Sequence, residues 1–332
     1  QSKHNYIELP SDCLGSIQYK LLIGFDSEKP DESPRLGSIM KLTQQKQKLG
    51  PYADVWTKYI RKMINPHELL SKYTDSGYNV VKYSKDSIYS LDTIYPVISR
   101  AYFKLWEILM DTKVLDQYKD QSITILNLSE SLGGFIQCLV DFRNRQHSQE
   151  WKKDSYHSFL TRPKSDIPSI STEYFDLVVG DKHQYPINIT YGDPTINVII
   201  PFKSHLITAD GGIAPKDEEF DSGELESSKI FMSEIILALK NQAQGGTFIM
   251  KLYDTYYETT IQMIQILSIY HNQVSLIKPH TCSPANAEKY LICSDFKDIV
   301  TIEDANALTT VITKWKEHEY LINLLKMIEN TS

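Results

Sequence analysis

From about Ile94 onward the chain alternates short apolar runs with segments of helical periodicity, and this alternation leaves few architectures open. A strand that is apolar along its whole length must be covered on both faces, and the amphipathic helix that follows it is the natural cover. The pattern therefore predicts a mostly parallel α/β sheet. Residues 122–128 lead into Gly133-Gly134 and then a helical face of Phe135, Leu139 and Phe142. Residues 205–209 run into Asp210-Gly211-Gly212, and an acidic loop precedes a helical face of Phe231, Ile235, Ala238 and Leu239 that Gly245-Gly246 should stop. A strand over 247–252, a helix through Ile261, Ile264 and Leu267, and strands over 274–277 and 289–293 complete the series. Residues 174–179 and 195–200 are two further β-like runs. The last two strands leave no room for a crossover helix, so they should be antiparallel.

The ends read differently. Residues 24–50 are rich in Ser, Pro, Asp, Lys and Gln and precede a helical stretch in which Trp56, Ile60, Met63 and Ile64 share a face. In the tail, Leu308, Val311, Ile312 and Trp315, continued by Leu321, Leu325 and Ile328, read as one amphipathic helix. The expected division is an accessory, substrate-binding extension over 1–95, the α/β domain over 96–300 and a C-terminal helix over 301–332. A chain of 332 residues is long enough for this, at about 150 residues per domain.

Charge narrows the partners. Lys plus Arg number 35 against 42 Asp plus Glu, a net charge of −7, so any nucleic-acid site must be a local patch rather than a basic coat. Cys13, Cys138, Cys282 and Cys293 are far apart and form no CxxC pair, so neither a disulfide framework nor a metal centre is expected. With no apolar stretch of membrane-spanning length and no signal pattern, an intracellular protein is expected.

In open α/β sheets ligands gather at the carboxyl ends of the strands. Asp210 follows residues 206–209, Lys251 closes Phe248-Ile249-Met250, and Glu288 precedes Tyr290-Leu291-Ile292. Arg100 and Lys104 lie four apart on a predicted helix; like charges at that spacing repel slightly, which suits them to an anion such as phosphate. Taken singly, each is more simply a solvated charge.

Taken together, SRAYFKLWEI around Lys104, LITADGG around Asp210, GGTFIMKLY around Lys251 and IKPHTCSPANAEKYLIC around Glu288 resemble the four motifs of the FtsJ-like ribose 2′-O-methyltransferases. The resemblance runs from about residue 98 to 296 and implies a Rossmann-like methyltransferase sheet with an antiparallel last strand. It also implies a catalytic tetrad of Lys104, Asp210, Lys251 and Glu288, with S-adenosylmethionine as cofactor and no metal. Within the family the chain is most similar to messenger RNA cap-1 enzymes, including those of large DNA viruses, through its ADGG turn and the Tyr191-Gly192-Asp193-Pro194-Thr195 segment.

The implied cofactor residues are Ser131, Gly133, Gly134, Phe135, Asp193 and Asp210. The implied RNA contacts are Arg100 and Lys104, and the implied partners are the capped 5′ end of mRNA and other capping or transcription proteins, with no membrane or DNA. The corresponding places are the nucleus or cytoplasm, or for a viral enzyme the host cytoplasm or virion. One departure stands out: the loop reads Leu128-Ser129-Glu130-Ser131-Leu132-Gly133-Gly134, with Ser129 where the family has glycine and Leu132 where it has proline. The helix after it is expected to offer free N–H groups to the cofactor's carboxylate. Lys251 is expected to act as base, its pKa lowered by burial and by Lys104 and Arg100. The rival readings are a methyltransferase of ribosomal or transfer RNA, and a non-catalytic RNA-binding scaffold.

Overall fold

A computed structural model describes residues 6–9, 18–21, 24–26, 48, 51, 99–130, 133–146, 153–160, 187–191, 199–212, 222–283, 286–314, 320–322 and 325–328. In chain order these form β1 (Tyr6–Leu9), β2 (Gln18–Leu21), β3 (Gly24–Asp26), α1 (Ala101–Thr112), β4 (Thr124–Leu128), α2 (Gly134–Arg145), β5 (Ser155–Leu160) and β6 (Ile187–Tyr191). There follow β7 (Ser204–Ala209), α3 (Ser222–Asn241), β8 (Gln242–Leu252), α4 (Glu258–Tyr270), β9 (His271–Ile277), β10 (Lys289–Phe296), α5 (Ile302–Lys314), β11 (Tyr320–Ile322) and β12 (Leu325–Ile328).

Eight strands join one sheet in the order β1-β9-β10-β8-β7-β4-β5-β6. The strands from β8 to β6 run parallel, whereas β10 lies antiparallel between β8 and β9. This is the α/β sheet with antiparallel closure that the apolar runs predict. The period of two along each inner strand sorts its side chains onto two faces. Ile125, Leu206, Ile249 and Ile292 pack with Tyr102, Leu105, Trp106, Phe135 and Leu139 of α1 and α2. Leu126, Ile207, Phe248 and Met250 pack with Phe231, Ile235, Leu239, Met263 and Leu308 of α3, α4 and α5. Both faces are buried, which is why the inner strands read as unbroken apolar runs.

The structure corrects the sequence reading at several points. The tail helix ends by Lys314; Leu321, Leu325 and Ile328 lie instead in β11 and β12, which pair with β3 and β2. Their partners are about 300 residues away, and a short apolar run takes the conformation its partner offers. Gly245-Gly246 does not stop α3, which ends at Asn241 and passes directly into β8. The glycines lie within that strand, where its pairing to β7 shifts register between Ser204 and Leu206 and Gly245 takes φ 73°. The strands β5 and β6 escaped the sequence reading. Residues 174–179 and the stretch from Trp56 to Ile64 lie outside the described residues. Of residues 195–200 only Ile199 and Ile200 are described, and neither is in a strand. The extension also contributes β1 to the edge of the main sheet.

Candidate active site

Three strand ends and one helix face converge on one spot. Asp210 follows the last residue of β7, Lys251 is the penultimate residue of β8, Glu288 immediately precedes β10 and Lys104 lies at the end of the first turn of α1. The antiparallel register sets Tyr290 of β10 directly opposite Lys251. Lys251 Nζ lies 3.2 Å from Asp210 Oδ1 and donates to the Asp210 main-chain oxygen at 2.7 Å. Lys104 Nζ donates to Glu288 Oε1 at 2.6 Å. The hydroxyl of the fully buried Tyr290 stands between the two pairs, 2.8 Å from Glu288 Oε1 and 3.2 Å from Asp210 Oδ1. The four residues of the resemblance thus form one chain of charge, with Tyr290 as a fifth member. Its signal in the sequence was its place two residues after Glu288.

Electrostatics overturns one expectation. Burial does lower the Lys251 pKa, but Asp210, Tyr253 and Glu288 outweigh it, and the net shift is upward. In this arrangement Lys251 is an ammonium ion. Burial raises Glu288, but Lys104, Lys251 and the Tyr290 hydroxyl outweigh it and hold its carboxyl below the ordinary range. Two ion pairs result, with side chains only 8 to 17% exposed. The anion that Lys104 meets is therefore a carboxylate of its own chain. Arg100 is exposed at the start of α1.

The loop after β4 keeps a glycine-like backbone without the glycine: Ser129 has φ 59°, a conformation that costs a non-glycine residue roughly 1–2 kcal/mol. At Gly134 a Cβ would meet Ser99 Oγ and stand 3.1 Å from Tyr102 N, so a larger residue would require the Ser99 hydroxyl to turn away and α1 to give slightly. The expectation that the N-terminus of α2 is free is not met. Glu130, which is buried, accepts from Phe135 N at 2.6 Å and Ile136 N at 3.4 Å. Burial raises its carboxyl to about 8, so it caps the helix largely as a neutral acid at pH 7. The Phe135 side chain points into the core against Tyr290. Ser131 and Asp193 lie outside the described residues.

Under the Asp210 turn, the buried Glu234 of α3 accepts from Gly211 N at 3.1 Å; its pKa is likewise raised to about 8 by burial. Ser129 packs beside Glu234, and its hydroxyl offsets part of that rise; by strict geometry Ser129 Oγ and Glu234 Oε2 have no hydrogen-bond partner, and neither has Ser99 Oγ, which is buried against Gly134. Gly212 takes φ 128°, and a Cβ there would meet the Tyr253 ring. Tyr253 in turn lies 5.7 Å, ring centroid to ammonium, from Lys251. No cluster of three metal-ligating side chains occurs among the described residues, and no described helix is long and apolar enough to cross a membrane.

Comparison with known proteins gives one family, two relatives and one solved structure. The family model for FtsJ-like methyltransferases matches residues 97–296. A cap-specific mRNA (nucleoside-2′-O-)-methyltransferase 1 from Caenorhabditis elegans is 22% identical over 331 residues, covering 92% of this chain and 35% of that protein. A protein named as an inactive cap-specific mRNA (nucleoside-2′-O-)-methyltransferase 1B from Caenorhabditis briggsae is 28% identical over 93 residues, covering 28% of this chain and 11% of that protein. The chain thus spans about a third or less of the length of these relatives. Among solved structures, one named as a ribosomal RNA methyltransferase from Plasmodium falciparum covers 60% of this chain and 97% of its own, with 18% identity and a TM-score of 0.42.

Proposed function

Since the chain belongs to the FtsJ-like methyltransferase family, we propose that it transfers a methyl group from S-adenosylmethionine to a ribose 2′-hydroxyl of RNA, at the capped 5′ end of mRNA. The observation that carries this reading is the convergence of Lys104, Asp210, Lys251 and Glu288 at the carboxyl ends of β7 and β8 and the entry of β10. The cap itself rests on the relatives' names.

The residues present fit the cofactor. Ser99 Oγ supplies a buried polar atom without a partner beside Gly134, Ser129 and Glu234 stand together beside Gly211, and Asp210 offers a carboxylate at the next strand end. With the N–H groups of Phe135 and Ile136 already bonded to Glu130, other donors would have to hold the cofactor's carboxylate. When bound, the cofactor supplies an electrophilic methyl group.

The chain's own residues position the acceptor. Lys251, held by the main chain and the side chain of Asp210, donates a hydrogen bond to the 2′-oxygen and stabilises negative charge as it grows there. It accepts the hydroxyl proton only in molecules where its own proton has left, so the rate should rise with pH through the alkaline range. The Lys104–Glu288 pair and Tyr290 fix the place of the Asp210 carboxylate and hence of Lys251. Arg100 takes RNA phosphate. A messenger RNA cap as substrate would put this work in the nucleus or cytoplasm, beside other capping proteins.

Methyl transfer from labelled S-adenosylmethionine to capped and uncapped RNA, with the modified nucleotide mapped, tests the reading. Transfer to the first transcribed nucleotide of capped RNA is expected. Equal transfer to uncapped ribosomal or transfer RNA would move the substrate, and the absence of both transfer and cofactor binding would leave the non-catalytic scaffold.

A further inference from the structure

Eleven residues, 278–288, separate β9 from β10, and they must deliver Glu288 to Lys104 across the mouth of the site. No described residue among them lies in a helix or strand. Within the segment, Lys278 Nζ donates to the main-chain oxygens of Asn286 and Glu288, both at 2.8 Å. Asn286 reaches Glu288 at its N–H and at Oε2. These contacts tie the segment to itself. Lys104 and Tyr290 hold Glu288, Cys282 packs into the core with α1, and Glu107 holds the main chain of the segment's first part.

Glu107 lies on α1 one turn beyond Lys104 and is buried. Its Oε1 accepts from His280 N at 2.6 Å, and its Oε2 accepts from Thr281 N at 3.0 Å and Thr281 Oγ1 at 2.9 Å. Three donors on one carboxyl go far to offset its burial, and two of them are main-chain groups. The same helix face therefore grips the segment twice, at its first third through Glu107 and at its end through Lys104. A main-chain grip fixes where the chain runs, and the chain path decides where Glu288, Cys282 and Asn286 stand around the Lys104 ammonium.

The device recurs around the site. Glu130 holds Phe135 N and Ile136 N after β4, Glu234 holds Gly211 N after β7, and Glu224 holds Tyr256 N and Tyr257 N after β8. Among the described residues, the segments that follow β4, β7, β8 and β9 are thus each held at the main chain by a buried glutamate. Only Glu107 shares a helix with a member of the tetrad.

We propose that Glu107 is a positioning residue for the Lys104–Glu288 pair, acting through the main chain of residues 280–281 to set where the pair stands against Tyr290, Asp210 and Lys251. This inference rests on the reading of the chain as a 2′-O-methyltransferase. A misplacement of about 1 Å can cost roughly 10²-fold in rate, so loss of the grip should appear in turnover. It should leave cofactor affinity alone, because Phe135 and Ile136 are held by Glu130 and not by Glu107.

The test compares Glu107→Gln, Thr281→Val and the wild-type full chain. It measures turnover and KM on a short capped RNA, S-adenosylmethionine affinity by calorimetry, melting temperature and amide hydrogen exchange. Glu107→Gln keeps volume and one acceptor but turns an amide NH2 toward Thr281 N. It should lower kcat by about 10- to 100-fold, hold cofactor affinity within about twofold, and speed exchange at residues 280–288. Thr281→Val removes one donor of three and should show a smaller loss of the same kind. The proposal is overturned if Glu107→Gln keeps kcat within twofold. It is equally overturned if kcat, cofactor affinity and melting temperature fall together, which would mark Glu107 as a tie of the fold. If the wild-type chain transfers no methyl group the functional reading fails by itself, and exchange decides: faster exchange confined to 280–288 supports the grip, and unchanged exchange overturns it.

Discussion

At the amino end of the central sheet Arg143 and Asp154 form an ion pair with both side chains fully buried; at the carboxyl end Lys251–Asp210 and Lys104–Glu288 form two pairs that keep 8 to 17% exposure. The Arg143 guanidinium gives Nε and Nη2 to Asp154 and its remaining donors to Tyr118 O, Gln121 O and Gln146 Oε1, so its hydrogen-bonding capacity is spent inside the fold. The lysines opposite are held but not exhausted, since an ammonium has three donors. Buried charge by itself therefore says little about function. What separates a structural pair from a working one is whether capacity is left over for a further partner.

The comparison breaks first if Lys251 proves dispensable. Lys251→Ala should lower methyl transfer by about 10²- to 10⁴-fold, with cofactor affinity and melting temperature little changed. Lys251→Arg should be nearly as inactive, because guanidinium does not give up its proton at usable pH. Single-turnover assays check both, and retention of a tenth of wild-type turnover would make Lys251 an ordinary strand-end charge.

At the other end the loss should be of stability. Asp154→Ala leaves the Arg143 guanidinium buried without its counter-ion and should cost about 3–5 kcal/mol, read by chemical denaturation, while turnover per folded molecule stays near wild type. A fall in turnover without unfolding would erase the contrast between the ends. At the rim, Arg100→Glu should weaken RNA binding by about tenfold at low salt and less at high salt, with cofactor affinity unchanged.

A smaller effect concerns pH. The carboxyls of Glu130 and Glu234 are raised from 4.5 to about 8 in the fold, so the folded state binds their protons more tightly than the unfolded chain does. Their contribution to stability is full below pH 4.5 and is lost as pH rises through 8. Melting temperature should therefore fall from pH 5 to 9, and Glu234→Gln, with no proton to lose, should flatten that slope. The smallest effect is a gain: Ser129→Gly should stabilise the fold by about 1 kcal/mol by relieving the left-handed backbone. No gain would mean that the serine side chain offsets its own strain.

Much of this site is legible in local sequence because strand ends are local. A run such as 206–209 followed by Asp-Gly-Gly announces both the strand and the residue it presents. Tyr290 was harder to see, since its importance comes from the β8–β10 register, which a sequence does not display. Glu107 and Glu234 read as ordinary helix residues, and nothing in their spacing tells that each reaches the main chain of a distant loop. The upward shift of the Lys251 pKa is hidden for the same reason: the neighbours on its own strand are apolar, and apart from Tyr253 the groups that raise it, Asp210 and Glu288, come from other elements.

The sequence by itself determined the alternation of strand and helix, the antiparallel closure and the placing of Lys104, Asp210, Lys251 and Glu288 at element ends, because periodicity and turn chemistry act over a few residues. Only the tertiary structure decided that the tail forms β11 and β12 on partners near the other terminus, that Glu130 closes the start of α2, and that Lys251 carries its proton. Each of these depends on which distant groups come within a few ångströms, where hydrogen bonding and Coulomb energy are settled.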